Sequence, residues 1–224
     1  MTAETEPSAP ARPAASGGRT GEPGEAAGGE ALALLDAGLA LMVAARGRRP
    51  RVADIVAAAG LSNDAFYRFF ASKDALVEAI VERGARTVVG YVRYRMARAA
   101  EDGPQARLRA GIEAVLRQAS DENLALQARA VLSNATGHAP RAAHVTVALV
   151  DALAALFAQP AAELGAGDPM RAARTAAGGV VAALQYWLFT EEAPGRAETE
   201  HLVGFLLAGV RAPTPVAGRR DGCT

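Results

Sequence analysis

Apolar positions recur every three or four residues along most of the chain, the spacing that gathers side chains into one stripe of a helix. Leu32, Leu35, Leu39, Met42 and Val43 form the first stripe and predict a helix over residues 30–45, stopped by Gly47 and Pro50. Val52, Ile55, Val56 and Ala59 predict a short second helix closed by Gly60. A third helix places Phe66, Phe69 and Phe70 on one face. A fourth starts at Ser72-Lys73-Asp74, where a hydroxyl at the N-cap and an acid in the first turn favour initiation. It runs to about Ala100 and is broken by Glu101-Asp102-Gly103-Pro104. Further helices are expected over 104–119, over 121–134, and over 144–164 with a kink or interruption at Pro160. Another runs from Met170 through Leu188, and a last one carries Leu202, Phe205, Leu206 and Gly209. Neither strand alternation nor an internal repeat appears. The fold class is all-α.

The two ends differ from this pattern. Residues 1–28 are Ala, Pro, Gly, Glu and Ser without aliphatic periodicity, so they read as a disordered arm that cannot bury enough surface to offset ordering. Residues 212–224, with Pro213 and Pro215, read as a second disordered tail. Between them the chain divides into a small unit, 29–73, and a larger helical one, 74–211.

The small unit carries the most specific signal. Residues 51–70 give a short helix, a turn at Gly60-Leu61-Ser62 and a second short helix, which is the helix-turn-helix arrangement. Gly60 accepts a left-handed backbone, Leu61 can plug between the helices, and Ser62 can cap the next one. Three of the six phenylalanines fall between residues 66 and 70, because a very small core is filled economically by a few large side chains. With those facing inward, Asn63, Asp64, Ala65, Tyr67 and Arg68 remain for the outer face, where a recognition helix meets base edges and phosphates. The loop carrying Arg46, Arg48, Arg49 and Arg51 adds a cationic edge beside it, suited to phosphates.

The segment RVADIVAAAGLSNDAFYRFFASKDALVEAI resembles the N-terminal domain of TetR-type transcriptional regulators. The matching positions are Ile55, Ala59, Gly60, Leu61, Ser62, Phe66, Tyr67, Phe70, Ser72, Lys73, Asp74 and Leu76, and the likeness extends over residues 30–83. It implies DNA contacts from Ser62, Asn63, Asp64, Ala65, Tyr67 and Lys73. Two positions depart from the family pattern. Pro50-Arg51 stands where a Ser or Thr usually caps the second helix, and Phe69 stands where a His is common. The resemblance also implies a C-terminal helical domain for effector binding and dimerisation. Pocket candidates there are polar or aromatic tips within apolar helices: Tyr91, Tyr94, Gln127, Asn134, His144, Gln185 and Trp187. The expected dimer face uses small residues that let helices approach, Ala176, Gly179 and Ala183, together with Tyr186, Leu202 and Phe205.

Composition narrows the alternatives. Of 224 residues half are apolar, enough for a sizeable core, and 24 basic residues balance 24 acidic ones, so any nucleic-acid footprint must be local. The single cysteine, Cys223, rules out a disulfide framework and suits a reducing compartment. No apolar run approaches the roughly 20 residues of a membrane helix, and no signal peptide opens the chain, so a cytoplasmic protein without membrane attachment is expected. His138, His144 and His201 lie apart without metal-binding spacing, and phosphate-binding glycine motifs and a GxSxG elbow are missing. Neither metal nor cofactor nor catalysis is expected. The sequence therefore predicts a transcriptional regulator: a homodimer on a palindromic double-stranded operator, released by a small apolar or amphipathic effector. The alternative keeps the DNA-binding dimer and gives the C-terminal domain a protein partner, or no effector.

Overall fold

In the computed structural model the described residues are 23–45, 50–135 and 139–211, and they form nine α-helices. These are α1 (Pro23–Ala44), α2 (Val52–Ala59), α3 (Asn63–Phe69), α4 (Lys73–Arg98), α5 (Pro104–Ser120), α6 (Glu122–Ala135), α7 (Ala139–Glu163), α8 (Pro169–Thr190) and α9 (Arg196–Arg211). The all-α expectation holds across them. Most boundaries fall within a few residues of those the periodicity predicts.

Two differ for physical reasons. Helix α1 starts at Pro23, so residues 23–28 are helical rather than part of the arm expected there. A proline in the first turn costs nothing, because its missing N–H would be unpaired in any case. The other is α7, which passes through Pro160 without ending there. Pro160 stands in the last turn and is buried, so the lost hydrogen bond affects only the helix end. Within α7, the 20-residue segment His144–Glu163 contains an 18-residue window with a mean hydropathy of 1.7. By length and composition that is enough for a membrane span, which corrects the expectation that no such run exists. Here Leu153, Ala154, Phe157 and Ala161 are buried in a protein core, with α8 as the main neighbour.

Apolar burial forms two cores. One gathers Leu34, Met42, Ile55, Val56, Phe66, Phe70, Leu76, Val77 and Ile80 from α1 to α4, and admits Ala130 of α6. The other is built from α4 to α9 around Leu108, Ile112, Leu116, Phe157, Val180 and Leu207. Helix α4 runs through both, so it is the rigid rod between them. Its first half is seated tightly on α1 at Gly38, where an added Cβ would lie 2.9 Å from Leu76 Cδ2 and 3.0 Å from Ile80 Cδ1.

The caps explain why such short helices hold. Helix α2 ends at Gly60 with φ +67°, and the Gly60 and Leu61 amides donate to Ala57 O at 3.3 Å and Val56 O at 2.9 Å. This is the Schellman closure. Ser62 Oγ accepts from Ala65 N at 3.1 Å to start α3, and Ser72 Oγ accepts from Ala75 N at 3.1 Å to start α4. Helix α2 lacks such a hydroxyl, and its cap is supplied from within: the Asp54 carboxylate accepts from the Arg51 amide at 3.4 Å. Replacing Gly60 by Val should cost about 1–2 kcal/mol, because a side chain raises the energy of the left-handed backbone. A chemical-denaturation series checks this. An unchanged midpoint would mean that the turn relaxes out of that conformation.

Candidate functional site

Helix α3 is held from below and open above. Phe66 is fully buried and meets Tyr67 edge-on at 5.3 Å and Phe70 at 5.8 Å between ring centroids. Ala65 is 3% exposed and faces the same core, so it is withdrawn from the outer face on which the sequence placed it. On a helix its Cβ lies one residue behind Phe66, and the buried stripe is wide enough to take both. Asn63, Asp64, Tyr67 and Arg68 are exposed, Tyr67 by 60%. Arg68 is partly engaged: its guanidinium lies 3.5 Å from Glu30 of α1 and 5.5 Å from the centroid of Phe69. Phe69, standing where a His is common in the resembling proteins, thus serves as a platform for that arginine. Ser62 is exposed, and its oxygen already accepts the capping amide, leaving its proton free to donate. Lys73 is half-buried in the first turn of α4, and Arg51 is exposed at the start of α2. Arg46, Arg48 and Arg49 lie outside the described residues.

Behind this face lies a cavity of about 710 Å³ lined from α1, α4, α5, α6, α7 and α8. Of the sequence candidates, Tyr91, Gln127 and Gln185 line it. Gln185 Nε2 donates to Thr146 Oγ1 at 3.4 Å, joining α8 to α7 across the wall. The other four candidates do not line it. Tyr94 points outward, with Arg98 Nη1 donating to its hydroxyl at 3.4 Å. Asn134 is buried elsewhere and donates to Ala130 O at 2.9 Å. His144 is exposed and Trp187 is core. Each of these four is a polar or aromatic tip among apolar neighbours, a property that does not tell which side of the helix it occupies.

The sequence missed the arginines of this site. Arg83 and Arg117 line the cavity, and among the described residues its lining contains no Asp or Glu. Arg83 Nη1 lies 2.8 Å from Asp36 Oδ1, tying α4 to α1. Tyr91 Oη accepts from Arg117 Nη1 at 2.7 Å and from Arg95 Nη1 at 3.0 Å. Hydrogen bonding from Arg95, then from Arg117, holds the Tyr91 phenol below its usual pKa. The spacing of Arg83, Thr87, Tyr91 and Arg95 at successive fourth residues is one legible signal of a shared face on α4. The approach of Arg117 from α5 had no such signal.

The expected dimer residues divide by burial. Ala176 is 2% exposed and belongs to the core of the single chain, which removes it from the surface. Gly179 serves packing within the chain, since an added Cβ would lie 2.9 Å from Leu206 Cδ2 of α9. Ala183 and Leu202 are half-buried against the same core. Tyr186 and Phe205 are exposed, and Phe189 joins them on α8, a residue the sequence reading passed over.

A capped helix-turn-helix on a rigid helical base, with a polar outer face and a cavity at its back, defines a DNA-binding regulator. Residues 34–80 match the family model of bacterial regulatory proteins of the tetR family. The chain thus carries the DNA-binding segment of that family over residues 34–80. Solved structures agree on the fold. The fatty acid degradation regulator FadR of Bacillus halodurans superposes with a TM-score of 0.62 at 17% identity, over 80% of this chain and 94% of its own. A chain of Mesorhizobium loti assigned to the TetR-family transcriptional regulators gives 0.58 at 21% identity, over 82% and 94%. The reduced form of E. coli NemR gives 0.56 at 17%, over 81% and 95%. No curated protein matches the chain in sequence.

Proposed function

We propose that the protein is a repressor that binds a palindromic operator as a homodimer and leaves it when a small molecule occupies the cavity. The observation that carries this reading is the position of the cavity. Leu39 and Ile80 belong to its lining and also pack in or against the DNA-binding core. Helix α6 contributes Gln127, Ala128, Val131 and Leu132 to the lining, while its Ala130 is buried in that same core. A ligand that spreads α4 from α6 thereby favours a conformer in which α3 is set at another separation from its counterpart. That is a population shift, and its size is limited by the difference in ligand affinity between the two conformers. The Arg83–Asp36 pair lies on the route, between cavity and α1.

Dimerisation is supported by the exposed aromatics. Tyr186, Phe189 and Phe205 are each at least 60% exposed on α8 and α9, large apolar side chains that a partner helix pair could cover. A helix-turn-helix alone has modest affinity, and a second copy on the same two-fold axis supplies a second half-site. Phe205→Glu is expected to yield a folded monomer in sedimentation and to lose well over tenfold in operator affinity. Because Phe205 is mostly exposed on its own chain, helicity should not change. A variant that stays dimeric would move the interface away from α9. One that is monomeric yet binds the operator undiminished would contradict the dimeric reading of the site.

A further inference from the structure

Two guanidiniums converge on one neutral oxygen at the rim of the cavity. Arg117 and Arg95 both donate to Tyr91 Oη, at 2.7 and 3.0 Å, and both lie against its ring, at 5.3 and 5.8 Å from the centroid. A phenol oxygen has two acceptor sites, and both are used, which leaves the Tyr91 proton as a donor without an assigned acceptor. Asp121, 3.5 Å from Arg117 Nη2, balances one of the two cations. Among the described residues Arg95 pairs with no carboxylate, so two cations against one acid leave a single positive charge. Like charges drawn to one atom repel, and an anion beside them removes that cost. The interior continues differently: Val88, Leu132, Leu149, Leu184 and Leu188 present an apolar wall.

We propose that the cavity takes an amphipathic monocarboxylate, its head held at the rim by Arg117 and the Tyr91 hydroxyl, with Arg95, outside the lining but bonded to the same hydroxyl, adding its charge, and its apolar body within. The class follows from three matches. A monoanion balances the one uncompensated charge. A carboxylate has two oxygens, enough to accept from a guanidinium and the phenol together, as charge-assisted bonds. The remaining volume, about 710 Å³ in all, accommodates a hydrocarbon or aromatic body of ordinary ligand size. The lowered phenol pKa makes Tyr91 a better donor to that head. The inference deepens the ligand-responsive reading and depends on it only for the consequence at DNA.

The test is calorimetric titration of the full chain with decanoate, 1-decanol and decyltrimethylammonium, each below its aggregation concentration. Decanoate is expected to bind saturably, about tenfold or more tighter than the alcohol, with the ammonium weakest. Arg117→Gln should reduce decanoate to near the alcohol's affinity and leave the alcohol unchanged. Tyr91→Phe, which keeps the ring and removes the shared oxygen, should narrow the acid preference and guards against a folding defect in the arginine variant. Alcohol and acid binding equally, an acid preference that survives both variants, or no saturable binding of decanoate would each overturn the proposal. Operator release is read separately. Decanoate that binds with the stated preference yet leaves DNA bound supports the ligand class and contradicts release. Alcohol that binds equally and releases DNA supports release and overturns the class.

Discussion

Phe66→Ala should abolish sequence-specific DNA binding while the larger helical core stays folded. Phe66 is fully buried in a core made by four short or half-engaged helices, and α3, with seven residues, has too few hydrogen bonds of its own to persist alone. Truncating a buried phenylalanine costs about 3–5 kcal/mol, a large share of the stability of so small a unit. The substitution also takes away the ring that meets Tyr67 edge-on, and Tyr67 belongs to the outer face. The second core, around Leu108, Phe157 and Val180, shares no side chain with this one. The expected result is an early thermal transition for the N-terminal helices, a later one for the rest, and dimerisation retained. One cooperative transition at reduced temperature would show that α4 and α6 couple the two cores into a single folding unit.

The second large effect concerns which residues read sequence. Asn63 opens α3 on the exposed face, the position from which recognition helices address base edges. Asn63→Ala should change the preference among operator variants by about 1–3 kcal/mol at one base pair of each half-site if it grips its base in bidentate fashion. Arg51 is exposed at the start of α2 and suits a phosphate. Arg51→Ala should weaken all sequences nearly equally and lower the salt slope by about one for each phosphate it no longer neutralises. The same result is expected of Arg48 and Arg49. Binding to matched and altered operators across a salt series separates the two roles. An Asn63 variant with unchanged preference would assign base reading to another residue, and an Arg51 variant with an unchanged slope would assign the phosphate to another.

Local chemistry was the legible part. Turn and cap residues act within a few positions of themselves, so Gly60, Ser62 and Ser72 could be assigned their work from sequence. Periodicity located the helices for the same reason. The cap of α2 was half visible: the missing hydroxyl at Arg51 could be seen, whereas Asp54 reaching back to it needed coordinates. Ala65 was misplaced because a small residue carries little information about which side of a helix it occupies. Ala176 and Gly179 carry the same ambiguity, since small residues allow close approach equally well within a chain and between chains. The cavity was the least legible feature. Its arginines act at a distance in sequence: Arg117 meets Tyr91 across 26 positions, and Arg83 meets Asp36 on another helix. Charged residues on amphipathic helices normally read as solvated surface, and nothing in their spacing says that two will converge.

The most direct measurement is a genome-wide footprint with the purified full-length protein, followed by protection mapping on the sites recovered. The account predicts discrete sites made of two inverted half-sites, bound by one dimer, with both half-sites lost together in Phe205→Glu and their sequence preference altered in Asn63→Ala. Binding spread along DNA without sequence preference, or protection of a single unpaired half-site by a dimer, would contradict it.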